Sequence, residues 1–336
     1  MDSLTYLTLV VSYRCSARCA HCCLSAGPDR AATWMTPEQA RGYIEPLVRD
    51  NPIDFMSLIG GEALLEVDRT VAIGHIARQC GIAKVQIDTN ASWCVDDDTT
   101  ARVLERVYKA GLEIGAVSVD AFHQRYVPRD RVLRLLRVAA SLGHPRRGQV
   151  YYLESPDAAN PYDRATSQLV EWLGGLGHET YSGTAVLHGR GAGLAAVHAG
   201  PRTVPTDICA GVPAFRNDDF RRPGGIEIDV HGWVMVEHGI CIGNAAELPV
   251  QQILGEYQAQ SHPIISVLLA QGPIGLTRLP MAAGFRLRPE GYVDKCHLCH
   301  EVRCHLQPHF PKILAPAECY LPDCRQPHAG LQAPGH

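Results

Sequence analysis

The sequence predicts an α/β fold followed by a smaller, cysteine-rich α+β unit, and three observations support this prediction. Short β-branched runs alternate with amphipathic stretches as far as residue 187. From residue 193 onward the alternation ends, prolines follow, and residues 226–236 have the period-two pattern of a β-hairpin. The length of 336 residues suits one large α/β domain with a smaller appended one.

Six strands are predicted in the first part of the chain, over residues 6–11, 54–59, 84–88, 114–119, 149–153 and 180–187. The helices predicted between them cover residues 36–49, 67–80, 97–109, 131–142 and 165–173. Thr36 and Pro37 mark the start of the first helix, because Thr is a good N-cap and Pro suits the first turn. The alternation predicts a parallel sheet, and periodicity alone leaves open a partial barrel or a doubly wound sheet.

Composition and charge exclude several classes of protein. The chain is 46% hydrophobic and 20% charged, which is ordinary for a globular protein and unlike a disordered one. Its formal net charge of −4 gives no electrostatic reason to expect a nucleic-acid or membrane partner. No apolar run approaches the roughly 20 residues that span a bilayer, and the amino terminus lacks a signal-peptide pattern. We therefore expect a cytoplasmic protein that binds neither nucleic acid nor membrane.

The unusual feature of the composition is its 13 cysteines. The number is odd and the chain can form a core without disulfides, so metal or redox chemistry explains them better. Cys15, Cys19 and Cys22 follow the first predicted strand with C-x3-C-x2-C spacing, and Cys23 permits a second spacing. Three soft ligands in one short loop suit a cubic iron–sulfur cluster with one iron left open. The alternatives are unrelated cysteines or part of a zinc site.

The cysteine loop, together with Gly60-Gly61-Glu62 after the second predicted strand, resembles the radical S-adenosylmethionine (SAM) enzymes. The resemblance implies a partial (β/α)6 radical SAM barrel. It also implies that Cys15, Cys19 and Cys22 hold a [4Fe–4S] cluster whose open iron is chelated by SAM. Reduction of such a cluster cleaves SAM to a 5′-deoxyadenosyl radical, which abstracts hydrogen from the substrate. Ala63 departs from the family pattern, which usually continues with proline.

The resemblance further implies a set of SAM contacts at the ends of the predicted strands. Gly60 and Gly61 have no Cβ to keep the SAM amino group away from the backbone, and Glu62 is placed to accept a hydrogen bond from it. The implied cofactor contacts are His21, Gly60, Gly61, Glu62, Thr89, Asn90, Ser118, Asp120 and Arg190. A solvated loop arginine is the alternative for Arg190. His123 is expected to be a substrate-facing acid or base, with a structural histidine as the alternative.

A second cysteine group lies in the last third of the chain. Cys209 and Cys241 flank the predicted hairpin, and Cys296 and Cys299 form a later C-x2-C pair. This arrangement resembles the auxiliary-cluster domain of the SPASM/Twitch subgroup, which implies a second [4Fe–4S] cluster held by these four thiolates. Three further cysteines could replace Cys209, namely Cys304, Cys319 and Cys324. The alternative is a zinc site with ligands drawn from Cys296, Cys299, Cys304, His300 and His305.

The expected domains are the partial barrel over residues 1–193, an auxiliary iron–sulfur domain over residues 194–310, and a Cys/His/Pro-rich tail over residues 311–336. Resemblance to aminoglycoside epimerases and dehydrogenases implies an oxidoreductase or epimerase of antibiotic or other natural-product biosynthesis. Its expected substrate is a polar small molecule (a sugar, aminocyclitol or nucleoside), and its expected reducing partner is a flavodoxin or ferredoxin. The second cluster could accept the electron of a substrate radical, or a thiol such as Cys304 could return a hydrogen atom.

Two alternative functions remain open. The first is modification of a ribosomal peptide, although no precursor-binding module is expected before the first strand. The second is a zinc-stabilised binding protein without catalysis.

Overall fold

The computed structural model describes residues 4–211 and 217–320 of the chain. Residues 321–336 of the predicted tail, among them Cys324, lie outside the described residues. The described part contains one sheet of nine strands in the order β6-β5-β4-β3-β2-β1-β7-β8-β9. Its strands are β1 Tyr6–Val10, β2 Phe55–Ile59, β3 Lys84–Thr89, β4 Glu113–Ser118, β5 Gly148–Tyr152, β6 Thr180–Thr184, β7 Gly225–Asp229, β8 Trp233–Glu237 and β9 Ile240–Asn244.

Neighbouring strands from β1 to β6 are all parallel, so the six predicted strands and the predicted parallel sheet are confirmed. The sheet is not closed, because β6 and β9 form its two edges. This is the open, partial barrel that the sequence predicts. The carboxyl ends of parallel strands lie at the same edge of a sheet, and the loops that follow β1 to β5 therefore meet there.

Ten α-helices lie in the described ranges, with bounds α1 Pro37–Asp50, α2 Val67–Gln79, α3 Asp97–Lys109, α4 Ala121–Gln124, α5 Arg129–Ser141, α6 Pro161–Gly175, α7 Val250–Glu256, α8 Ile265–Gln271, α9 Pro273–Leu276 and α10 Lys295–Leu306. Thr36 caps α1 as predicted, in a reciprocal capping box with Gln39. The sequence analysis did not predict α10, which begins where the Asp294 carboxylate accepts a hydrogen bond from the His297 backbone N–H. Within these described residues no helix is long and apolar enough to cross a membrane.

The core lies between the parallel strands and the helices that cover them. Leu7 and Leu9 of β1 and Met56 and Leu58 of β2 are fully buried, as parallel strands covered by helices require. On α1 the apolar side chains face the sheet in the same way, and the helix carries polar residues on its outer face. Burial of this apolar surface is the main force that holds the helices on the sheet.

The predicted hairpin is confirmed and belongs to the same sheet. β7 pairs with β1 in parallel over all five of its residues, and β8 and β9 follow in antiparallel order. The sheet therefore runs without a break across residue 193, where the sequence analysis places a domain boundary. The three domain ranges stay a prediction.

Asp229, the last residue of β7, organises the turn into β8. Its Oδ1 accepts hydrogen bonds from the backbone N–H groups of His231 and Trp233, each at 2.9 Å. Its Oδ2 accepts a hydrogen bond from the Tyr13 hydroxyl at 3.1 Å. Burial raises the pKa of the Asp229 carboxyl to about 6, although these hydrogen bonds oppose the rise.

Replacing Asp229 by asparagine tests the cost of burying this charge. Since the pKa is higher in the folded than in the unfolded chain, the contribution of Asp229 to stability is lost as pH rises through about 6. Asp229→Asn keeps an acceptor for the two N–H groups, and its amide can donate to the Tyr13 oxygen. We expect the free energy of unfolding of the wild type to fall by about 2 kcal/mol relative to that of this variant between pH 4.5 and 7.5, as measured by urea unfolding. Parallel stability curves for the two proteins would contradict this account.

Candidate active site

A cavity of about 280 Å³ opens at the carboxyl ends of the parallel strands. Cys15, Cys19 and Cys22 all line it. Of the predicted cofactor-binding and catalytic residues, those that also line it are His21, Gly60, Gly61, Thr89, Asn90, Ser118, His123 and Arg190. The structure therefore brings most of the first predicted site to one place.

The cysteine loop is held by its own backbone. The Cys15 N–H donates to the Gly27 carbonyl at 3.2 Å, and the Gly27 N–H donates to the Tyr13 carbonyl at 3.1 Å. The Cys15 Sγ lies 3.4 Å from the Ala17 N–H and 3.6 Å from the Asn90 side-chain amide. Burial and the nearby Glu62 charge raise the pKa of the Cys15 thiol, so a bound cation would be needed to stabilise its thiolate.

Gly60 and Gly61 pack directly against the backbone that leads into this loop. A Cβ on Gly60, whose φ is +150°, would lie 2.4 Å from the Ser12 carbonyl oxygen. A Cβ on Gly61 would lie 1.8 Å from the Arg14 carbonyl oxygen. Backbone packing thus requires glycine at both positions, whereas their approach to the SAM amino group stays a prediction.

Arg190 holds the other side of the loop. Its side chain is fully buried; Nε donates to the Cys19 carbonyl at 2.9 Å and Nη2 donates to the Ala26 carbonyl at 2.5 Å. Its backbone N–H donates to the Cys22 carbonyl at 3.1 Å. The alternative of a solvated loop arginine is wrong, because the guanidinium is inside the protein. Its predicted pairing with the SAM carboxylate stays a prediction.

The two glycines beside Arg190 allow this close approach. Gly189 has a φ of +56°, and a Cβ there would lie 2.1 Å from the Cys23 carbonyl oxygen. A Cβ on Gly191 would lie 2.5 Å from the Val186 carbonyl oxygen. Glycines thus flank the cysteine loop on both sides, from the end of β2 and from the 3-10 helix Gly189–Val197.

Glu62 joins the end of β2 to the end of β3. Its Oε1 accepts a hydrogen bond from the Thr89 hydroxyl at 2.8 Å, and its Oε2 accepts one from the Asn90 N–H at 2.7 Å. Burial raises the pKa of the Glu62 carboxyl to about 7, although these hydrogen bonds lower it. Glu62 is buried and does not line the cavity, and its contact with the SAM amino group stays a prediction.

His21, Asp120 and His123 form a compact group beside the cavity. Their potential ligand atoms lie within 4.8 Å of one another, and no other such group of His, Cys, Asp or Glu is found among the described residues. The His123 Nδ1 lies 2.9 Å from the Asp120 Oδ1, and the His21 and His123 rings are 4.8 Å apart. Burial raises the pKa of Asp120, but the charges of His123 and His21 and the hydrogen bonds from His123 together outweigh it and lower the pKa to about 2.

Asp120 also caps α4, because its Oδ1 accepts from the backbone N–H groups of Phe122 and His123. It is fully buried behind the cavity, so its predicted SAM contact stays a prediction. His123 is held by Asp120 and still faces the cavity. The structural and the substrate-facing interpretations of His123 are therefore compatible.

The second cysteine group is divided in the structure. Cys296 and Cys299 lie one turn apart on α10, and burial raises the pKa of both thiols. Cys241 lies apart from them on β9. Its Sγ donates to the Ala315 carbonyl at 3.0 Å.

Cys304, the predicted hydrogen-atom donor, is buried in the body of the protein. Its Sγ lies 3.4 Å from His300 Nε2, on the same helix α10. Cys319 is also buried, and its Sγ lies 3.1 Å from His238 Nε2. Neither thiol lines the cavity that contains Cys15.

Two residues of β5 that line the cavity were not predicted from the sequence. They are Gln149 and Tyr151, and Gln149 Nε2 donates to the Tyr151 hydroxyl at 2.7 Å. The available signal was the position of Tyr151 near the carboxyl end of the predicted strand. Cys23 lines the cavity too, next to the predicted ligand Cys22.

The structure places a three-cysteine loop at the carboxyl end of the first strand of an open parallel sheet. Residues 9–153 match the family model of the radical SAM superfamily. The matched segment contains this loop, and members of the superfamily use a [4Fe–4S] cluster and SAM. Three thiols from one loop, exposed to one cavity, fit such a cluster.

Two solved structures of anSMEcpe share the fold. The native protein with bound AdoMet and the Cp18Cys peptide has a TM-score of 0.50 at 10% identity, covering 79% of this chain and 83% of that chain. The hexahistidine-tagged protein with bound AdoMet has a TM-score of 0.51 at 10% identity, covering 80% of this chain and 84% of that chain. BtrN in complex with AdoMet and 2-DOIA is also matched, with a TM-score of 0.38 at 14% identity, covering 75% of this chain and 83% of that chain. No curated protein sequence matches the chain significantly.

Alanine substitutions at the flanking glycines test how tightly the loop is packed. Gly61→Ala and Gly189→Ala should each lower the free energy of unfolding by about 3 kcal/mol, because the added Cβ meets a backbone carbonyl. Gly42→Ala is the control, since a Cβ there meets nothing within 4 Å. Gly42 lies in helix α1, so its replacement by alanine should raise the free energy of unfolding by about 0.5–1 kcal/mol. Equal urea-unfolding midpoints for all three variants would refute this packing argument.

Proposed function

We propose that the chain is a radical SAM oxidoreductase or epimerase that acts on a polar small molecule, such as a sugar, an aminocyclitol or a nucleoside. The observation that carries the proposal is the cavity shared by Cys15, Cys19 and Cys22 and by polar side chains of β3 to β5. Those polar groups can donate to and accept from substrate hydroxyl or amino groups. A polar substrate would be oriented by such contacts more than by apolar burial.

The three cysteines of the loop would hold the cluster, and the cavity beside them would receive SAM and substrate. When bound, the cluster and SAM supply the radical that removes a hydrogen atom from the substrate. His123 would keep its imidazole directed into the cavity because Asp120 binds its Nδ1. The hydrogen-bonded pair of Gln149 and Tyr151 would contact the substrate from the β5 side.

For epimerisation we propose Cys23, in place of Cys304, as the hydrogen-atom donor. Cys23 lines the cavity, and burial raises the pKa of its thiol, so that it keeps the hydrogen it would donate. The S–H bond would break as the new substrate C–H bond forms. The sulfur radical left on Cys23 would then need one electron and one proton, with the electron supplied by the external reductant.

For oxidation, the substrate radical instead loses one electron and one proton. We propose a second iron–sulfur centre, built from the cysteine group of the carboxyl-terminal part, as the acceptor of that electron. The thiols Cys296 and Cys299, one turn apart on α10, support such a centre. Cys209 is proposed as a further ligand. The proton would leave to a basic group in the cavity.

Peptide modification is the second candidate. The observation that favours it is the fold shared with a structure that contains a bound peptide. At 10% identity this likeness concerns the fold. The polar side chains of β3 to β5 that line the cavity favour the small-molecule proposal.

The chemistry can be tested by anaerobic incubation of the reconstituted protein with dithionite and SAM. We expect 5′-deoxyadenosine from the wild type and a loss of at least about 100-fold in the Cys15→Ala variant, because one cluster ligand is missing. Cys80→Ala is the matched control, since Cys80 is a half-exposed thiol at the end of α2. Equal product from Cys15→Ala and wild type would disprove the assignment of the loop.

Product analysis separates the two outcomes proposed for the substrate. Incubation of sugars, aminocyclitols and nucleosides in D2O should give either loss of two hydrogens or uptake of one deuterium without other change. If uptake is found, Cys23→Ser should abolish it and Cys304→Ser should not. Retention of deuterium uptake in Cys23→Ser would exclude Cys23 as donor, and turnover of peptides alone would favour the second candidate.

A further inference from the structure

Asp88 is the only carboxylate among the described residues that line the cavity at the carboxyl ends of the strands. It is the next-to-last residue of β3 and is partly buried. Side chains alternate along a strand, so Asp88 shares one face of β3 with Gln86. Thr89, on the other face, donates to Glu62. The charge of Asp88 therefore bears on which ligands the cavity can accept.

One oxygen of Asp88 is fixed by a β-bulge between β3 and β4. The register of the two strands shifts between Ile87 and Thr89, and bulges of this kind redirect a side chain. At this place the Ala116 N–H donates to the Asp88 Oδ1 at 3.0 Å. Gly115 leaves room for the carboxylate, because a Cβ there would lie 2.8 Å from the same oxygen. The carboxylate is thus held in place by the backbone of β4.

The other oxygen of Asp88, Oδ2, accepts no hydrogen bond from the part of the chain that the structure describes. No cationic side chain in those ranges acts on the carboxylate either, since burial and the Ala116 hydrogen bond alone shift its pKa. Burial raises this pKa to about 6, so at neutral pH most of the carboxyl groups are ionised. A charge taken partly out of water is costly unless it is paired, and a cationic ligand would supply the partner.

An ammonium group fits this carboxylate better than a hydroxyl group or a metal ion does. An ammonium group donates up to three hydrogen bonds and carries the charge that compensates a carboxylate. A hydroxyl group would leave that charge uncompensated. Within the described ranges, the one close group of potential metal ligands is His21, Asp120 and His123, and Asp88 is not part of it.

We propose that Asp88 binds an ammonium group of the substrate, so that the substrate is an amine-bearing molecule such as an aminocyclitol or an amino sugar. This inference rests on the proposed function, because it requires a cavity that receives a substrate beside SAM. SAM has an amino group of its own, but the contacts predicted for that group are Gly60, Gly61 and Glu62. Asp88 binds and orients the substrate, and no covalent bond forms or breaks at its carboxylate.

The test measures binding to the full chain, reconstituted anaerobically and saturated with SAM, by isothermal titration calorimetry at pH 7. The probes are pairs that differ by one amine in place of one hydroxyl. They are scyllo-inosamine with scyllo-inositol, glucosamine with glucose, and 3′-amino-3′-deoxyadenosine with adenosine. We expect at least one amine to bind about 30-fold more tightly than its hydroxyl partner.

Asp88→Asn should abolish this preference, because it removes the charge and keeps an acceptor for the Ala116 N–H. Glu113→Gln is the matched control, since it removes a carboxylate that is exposed at the start of β4. The control should retain the full amine preference. Thermal melting shows whether each variant is folded. If Asp88→Asn is not, the wild-type comparison decides together with Asp88→Glu, which keeps the charge and should keep the preference.

Equal binding of amine and hydroxyl partners by the wild type, or an amine preference that persists in Asp88→Asn, would overturn the proposal. The absence of binding by every amine would overturn it as well. A loss of SAM affinity in Asp88→Asn would show that the carboxylate serves the cofactor and would also contradict the proposal. In each case, 5′-deoxyadenosine formed by the wild type from SAM and dithionite would leave the radical SAM chemistry standing.

Discussion

The active site depends on one constraint, the close packing of the cysteine loop between two stretches of glycine-containing backbone. Gly61 contacts the backbone entering the loop, and Gly189 contacts the backbone leaving it. Arg190 adds hydrogen bonds to the carbonyls of Cys19 and Ala26 from inside the protein. The shape of the loop is therefore imposed by its neighbours, which position its three predicted ligand thiols.

The same segment joins the two cysteine groups. The Gly189 N–H lies 3.4 Å from His300 Nδ1 on α10, and the preceding residue, His188, lies 3.5 Å from the Glu237 carboxylate. Arg190, the next residue along, binds the cysteine loop. Three consecutive residues therefore contact α10 and the end of β8 on one side and the cysteine loop on the other.

The sequence was sufficient to predict the features whose signal is local. The alternation of strands and helices and the spacing of Cys15, Cys19 and Cys22 are readable along the chain, and the parallel sheet agrees with them. The sequence was insufficient where distant segments meet. Helix α10 has cysteines and histidines in place of a simple apolar stripe, so its periodicity is weak. The Tyr151 ring lies 5.6 Å from the His21 ring of the cysteine loop only because two distant segments pack together.

The pairing of β7 with β1 has a consequence for electron transfer. β1 leads into the cysteine loop, and β7 leads through one tight turn to β8. The end of β8 is joined to α10, which carries Cys296 and Cys299, by the hydrogen bond from Arg303 Nη1 to the His238 carbonyl at 3.0 Å. The spacing between the radical SAM site and the proposed second centre is thus set by the hydrogen bonds of one continuous sheet and not by a linker. Tunnelling rates fall steeply with distance, and a rigid spacer of this kind would keep the rate constant through every turnover, whatever the surrounding loops do.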